Sequence, residues 1–134
     1  MEKHTWKLME IYNQVEEKET RYETIMAEDA DLLVVAYGTC SRISRAALAL
    51  GRKENLKIGL LRPITVWPFP SKILHDLASR IKKILVVEMS TGQMIEDVKL
   101  AIEGSAQVFF HGRPSGGIPT EFEVLDVIKK IYGK

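Results

Sequence analysis

Four short, almost purely apolar runs, each followed by a stretch of helical periodicity, constrain the fold of this chain more than any other feature. They read LLVVAYG at 32–38, LKIGLLRP at 56–63, KILVVEM at 83–89 and AQVFFHG at 106–112. A strand with one wet face alternates apolar and polar residues, whereas a continuous apolar run of this length suits a strand covered on both faces. After each run the period changes. Ile43, Ala46, Ala47 and Leu50 mark one helix face, and Ile73, Leu74, Leu77, Ala78 and Ile81 a second. Met94, Ile95, Val98, Ala101 and Ile102 mark a third, and Leu125, Ile128 and Tyr132 a fourth. Strands alternating with helices at this spacing predict βα units, a parallel sheet with helices on both faces, and right-handed crossovers.

Upstream of the first run, Leu8, Ile11, Tyr12 and Val15 recur at i, i+3, i+4 and i+7, which predicts an amphipathic helix over 3–17. TRYETIM at 20–26 reads as a short strand and residues 27–31 as a polar turn. A chain of 134 residues fits one domain with a real core. No repeat or low-complexity tract divides it. The expected organisation is an N-terminal helix over 1–19 and a single α/β domain over 20–134.

Composition mainly excludes. A formal charge of +1 leaves no electrostatic footprint for nucleic acid or an anionic membrane. Cys40 is the only cysteine, so an internal disulfide is impossible and a cysteine-based zinc site or iron–sulfur cluster lacks ligands. His4, His75 and His111 have no metal-ligand spacing. No apolar run approaches the roughly 20 residues of a membrane span, and no signal peptide is visible, so a cytoplasmic location is expected.

Loops that follow strands gather at the carboxyl ends of an open α/β sheet, where ligands usually bind. Gly38-Thr39-Cys40-Ser41 opens the first such helix. Its N–H groups favour an anion, but the spacing is not that of a phosphate loop. The favoured reading is a turn glycine with Thr39 or Ser41 as N-cap. In EMSTGQMIEDV at 88–98, Ser90-Thr91-Gly92-Gln93 is either a binding loop or a helix start. Ser90 and Gln93 fit a capping box, as do Thr120 and Glu123 before the last helix. Glu88 ends a buried strand, so its carboxylate needs a partner. A loop arginine, Arg62 or Arg113, is favoured, with helix-start N–H groups as the other choice. Cys40 is either a nucleophile at a helix N-terminus or, the favoured reading, a small buried side chain. In RPITVWPFP at 62–70, Arg62, Trp67 and Phe69 form either a docking surface or a loop folded onto its own domain. HGRPSGG at 111–117 offers Arg113 and glycines to an anion, and a flexible connection explains it equally well.

Taken in order, DADLLVVAYGTCSRISRAAL, LKIGLLRPITVWPFPSKIL, KKILVVEMSTGQMIEDV and HGRPSGGIPT resemble the C-terminal domain of the alpha subunit of 2-oxoacid:ferredoxin oxidoreductases, closest to the 2-oxoisovalerate type. The likeness covers residues 20 to 132, and it implies that the helix over 3–17 is the connector from a preceding domain. It implies a transketolase C-terminal-like fold: a three-layer α/β/α sandwich around a five-stranded, mostly parallel sheet. The implied strand order is 1-3-2-4-5, with strand 1 an antiparallel edge. The crevice between strands 2 and 4 would then be walled by Gly38 to Ser41 and Glu88 to Gln93.

The family reaction is oxidative decarboxylation of a 2-oxoacid, with coenzyme A taking the acyl group and ferredoxin the electrons. Thiamine diphosphate with magnesium and iron–sulfur clusters supply the chemistry. This chain lacks the thiamine-binding motif, the cluster cysteines and the pyrimidine-binding domain. The expectation is a C-terminal fragment or split subunit with no catalytic residue, metal or bound cofactor of its own. It would serve assembly with other domains and subunits, while ferredoxin and coenzyme A meet the complex. Left alone, it is expected to self-associate, or to show an apolar patch that includes Trp6, Trp67 or Phe69. The alternative is a free-standing module that binds a small anion at the crevice.

Overall fold

The computed structural model describes residues 21–64, 69–89, 93–112 and 118–133. Five strands form one sheet: β1 (Tyr22–Ile25), β2 (Leu32–Val35), β3 (Ile58–Pro63), β4 (Lys83–Glu88) and β5 (Gln107–Gly112). Four helices connect or follow them: α1 (Thr39–Lys53), α2 (Ser71–Ala78), α3 (Gln93–Ile102) and α4 (Glu121–Ile131). The strand order is β1-β3-β2-β4-β5. β1 runs antiparallel to β3, and the other neighbours are parallel. The predicted order and the antiparallel edge are both present. The expected connector helix over 1–19, Trp6, Trp67, Ser90, Thr91, Gly92, Arg113 and the side chain of Gln93 lie outside the described residues.

The apolar runs account for the layers. All four residues of β2 are fully buried, because the strand is central and both its faces are covered. Leu33 and Val35 point, with Leu61, Ile84 and Val86, toward Leu74, Leu77, Met94, Val98 and Ile102 of α2 and α3. Leu32 and Val34 point the other way, with Ile58, Leu60, Leu85 and Val87, toward Ala47 and Leu48 of α1 and Val124, Leu125 and Ile128 of α4. Each fully buried leucine or isoleucine contributes about 2 kcal/mol. β5 departs from the pattern. It is an edge strand, and Phe110 keeps 40% of its surface exposed.

The predicted face of α1 needs correction. Ile43 and Leu50 are half-buried and Ala46 is exposed. The face turned to the sheet carries Cys40, Ser44, Ala47, Leu48 and Gly51. Close approach is the reason: a Cβ on Gly51 would sit 2.3 Å from Cδ1 of Ile58. Small residues let the helix settle there, so size rather than hydrophobicity selects that face. The turn at 27–31 is pressed onto β3 in the same way. A Cβ on Gly59 would meet Ala27 and Ala30 at 2.9 Å, and the carbonyls of Ala27 and Glu28 accept from Arg80.

Candidate functional site

The sheet order makes β2 and β4 neighbours, and the chain leaves them toward opposite faces. Val35 pairs with Val86, which brings Tyr37 and Glu88, two residues further on, to the same level. This is the point where the chain reverses direction across the sheet, the usual place for a ligand in such folds. Gly38, Thr39, Cys40 and Ser41 lead from β2 into α1 there. Glu88 ends β4, and α3 follows it.

Gly38 is the N-cap of α1, with φ 58° and ψ −136°, and no side chain caps the helix. That conformation is essentially restricted to glycine. The predicted cap at Thr39 or Ser41 is therefore corrected. Thr39 is already the first helical residue, and Ser41 donates its hydroxyl to the Gly38 carbonyl at 2.6 Å. Neither hydroxyl accepts a capping hydrogen bond from the helix start.

Cys40 is 2% exposed and belongs to the core beneath α1 and α4. Burial pushes its thiol pKa up, and the charge of Glu88 adds to the effect. A helix N-terminus acts in the opposite direction, yet the net shift is upward. The thiolate a nucleophile needs is disfavoured. Tyr37, which the sequence reading passed over, shares this environment. Its phenol is pushed up by burial first, then by Glu88 and Cys40. Ser44, also passed over, is fully buried with its hydroxyl unpartnered.

Glu88 is fully buried. Its two carboxylate oxygens accept from Met94 N–H at 2.7 Å and Ile95 N–H at 3.1 Å. The second of its two expected partner types is the one observed, and the strand-end carboxylate acts as a cap for α3. Negative charge at a helix N-terminus is favourable, and two helix-start donors are satisfied away from water. Arg62 does not fill the favoured role. It reaches Glu23 at 3.4 Å, and β2 separates its strand from β4, a distance of about 10 Å between backbones. The capping box of Thr120 is present in its first half, since Thr120 accepts from Glu123 N–H at 3.1 Å. The Glu123 carboxylate lies 3.7 Å from His111 Nε2.

Phe69 is half-buried against the core of the α2–α3 face, which favours a fold-back of that end of the 62–70 loop. Among the described residues, no three His, Cys, Asp or Glu side chains converge as metal ligands. Iron–sulfur clusters and magnesium find no fitting donor set in them. No helix among these residues is long and apolar enough to cross a membrane.

Residues 30–124 match the family model described as pyruvate:ferredoxin oxidoreductase core domain II. Over 131 residues the chain is 43% identical to the ketoisovalerate oxidoreductase subunit VorB of Methanothermobacter marburgensis. That match takes in 98% of this chain and 36% of the relative, so the chain spans about a third of the relative's length. The fold is shared with 2-oxoglutarate:ferredoxin oxidoreductase from Magnetococcus marinus, solved with 2-oxoglutarate, coenzyme A and succinyl-CoA bound. The TM-score is 0.78 at 22% identity, over 88% of this chain and 21% of that one. A split-gene transketolase, solved as an inactive beta4 tetramer, has a TM-score of 0.68 at 15% identity, over 82% of this chain and 40% of its own.

Proposed function

The chain belongs to the pyruvate:ferredoxin oxidoreductase core domain II family, and from that premise we propose that it is a non-catalytic domain of a 2-oxoacid:ferredoxin oxidoreductase. Its work is assembly, holding neighbouring domains and subunits in place. The observation that carries this reading is the chemistry of the switch-point crevice. The carboxylate there caps α3, and the one thiol is buried with its pKa raised. Neither group is set to act as base or nucleophile on a substrate.

In this reading the whole enzyme decarboxylates a 2-oxoacid oxidatively, passing the acyl group to coenzyme A and electrons to ferredoxin. Thiamine diphosphate, magnesium and iron–sulfur clusters are held by other domains. A branched substrate such as 2-oxoisovalerate is favoured by the 43% identity to a ketoisovalerate oxidoreductase subunit. Glu88 and the start of α3 would give the crevice a rigid rim for a neighbouring domain. Gly38 to Ser41 form the opposite rim. Ser90 to Gln93 are assigned a capping role at a helix start rather than that of a ligand loop. Trp67 serves docking. A cytoplasmic location and self-association of the isolated chain, read by size-exclusion chromatography, complete the proposal.

Reconstitution tests it. The purified chain is mixed with the remaining subunits, and electron-acceptor reduction is followed with 2-oxoisovalerate, thiamine diphosphate and coenzyme A. The chain alone should give no turnover above a no-protein control, and the complex lacking it should be inactive or unassembled. Turnover by the chain alone, or full activity of a complex without it, would overturn the reading.

A further inference from the structure

We propose that a cleft between α1 and the end of β3 binds a phosphate group carried by a small molecule. The cleft is open, has a volume of about 200 Å³ and is lined by Ser41, Arg42, Arg45 and Arg62. Antiparallel pairing builds it. Glu23 on β1 lies directly opposite Arg62 on β3, and Arg45 reaches down from α1. Glu23 is hydrogen-bonded by both Arg45 and Arg62. Arg42, one turn before Arg45, has no hydrogen-bond or ion-pair partner among the described residues, and it is exposed.

The charge balance names the ligand class. Among the described residues, three guanidiniums meet one paired carboxylate, which leaves two positive charges in excess. A carboxylate ligand would answer one of them. A phosphate monoester carries about −1.5 to −2 at pH 7 and offers three acceptor oxygens, enough for the full excess. Guanidinium forks match its oxygens geometrically as well as electrostatically. Size agrees: whole small-molecule pockets run from about 300 to 1,000 Å³, so this cleft takes an anionic head group with the rest of the ligand outside. Glu23 shows that an oxyanion can sit between Arg45 and Arg62, and it is also a built-in competitor. The proposal concerns this chain alone and stands apart from the assembly reading.

The test is a titration of the nitrogen-15-labelled full chain with inorganic phosphate, ionic strength being held constant with sodium chloride. Saturable shifts of the Arg42, Arg45 and Arg62 Nε–H signals are expected. Arg42→Gln should weaken binding about tenfold, the loss of one charge-assisted contact. Glu23→Gln should tighten it by removing the competing carboxylate. Both variants change exposed side chains, and thermal unfolding confirms that they fold. Shifts that never saturate, or that sodium chloride alone reproduces, would overturn the proposal. So would binding that Arg42→Gln and Arg45→Gln both leave unchanged. Saturable binding of a polyglutamate peptide with none of phosphate would also overturn it, assigning the cleft to an acidic segment of a protein partner.

Discussion

Toward β4, the chain buries a carboxylate beside α1 and answers it with N–H groups of its own. Toward β1, it gathers three guanidiniums around one carboxylate and leaves the excess in an open cleft. Glu88 is fully buried and accepts from Met94 and Ile95. Glu23 and its partners Arg45 and Arg62 are each more than a third exposed. The difference lies in solvation. A buried charge without partners is so costly that Glu88 must be satisfied by the fold itself, and it acts as part of the structure. Exposed guanidiniums stay solvated, contribute little to stability and keep their hydrogen-bonding capacity for something else. Position in the sheet therefore separates a structural carboxylate from a recognition surface.

Three substitutions or conditions test that contrast. The largest effect belongs to Glu88→Ala, which leaves two helix-start N–H groups buried without their acceptor. It should cost about 3 kcal/mol in urea unfolding, and Glu88→Gln, which keeps an amide oxygen, about half of that. An Glu88→Ala protein as stable as its parent would erase the distinction between the two sides.

A smaller effect follows from pH. Cys40 and Tyr37 have pKa values raised above their ordinary 9.0 and 10.0, mainly by burial. Tyr132 is also raised, by burial and by its hydrogen bond to Asp31. For a group whose folded pKa is raised, the stabilisation is fully present below the unfolded value and is lost as pH climbs through the folded one. The urea midpoint should therefore fall progressively above about pH 9. Tyr132→Phe combined with Cys40→Ala should flatten that decline. Arg42→Gln should leave its shape unchanged. An alkaline slope untouched by the double substitution would place the titrating groups elsewhere.

The smallest effect is expected on the cleft side. Arg42→Gln should change stability by no more than about 0.5 kcal/mol, as usual for an exposed side chain without a partner. A loss several times larger would make Arg42 structural and bring the two regions closer together.

The core and the layer arrangement were legible in the chain. Continuous apolar runs such as LLVV can be satisfied only where both strand faces are covered, and the period change after each run marks the crossover helices. Glu88 could be picked out because a carboxylate at the end of KILVVE has no water to lean on. Its observed partners were not the favoured ones. Sequence favoured an arginine over a helix start, and only the turn from β4 into α3 brings the Met94 and Ile95 N–H groups to the carboxylate. The buried face of α1 was misread because Ser44 and Gly51 are selected by closeness to the sheet, which hydrophobicity does not report.

Sequence by itself determined the elements, because local periodicity and burial are written residue by residue. It also limited the chemistry, since one cysteine and three scattered histidines offer few ligands or nucleophiles. Tertiary structure alone decided which distant groups meet. Glu23 and Arg62 are 39 positions apart and become partners only through the antiparallel β1–β3 register. The basic cleft has no motif for the same reason. Its charges come from one helix and two strands, and nothing in their spacing along the chain encodes the distance between them once folded.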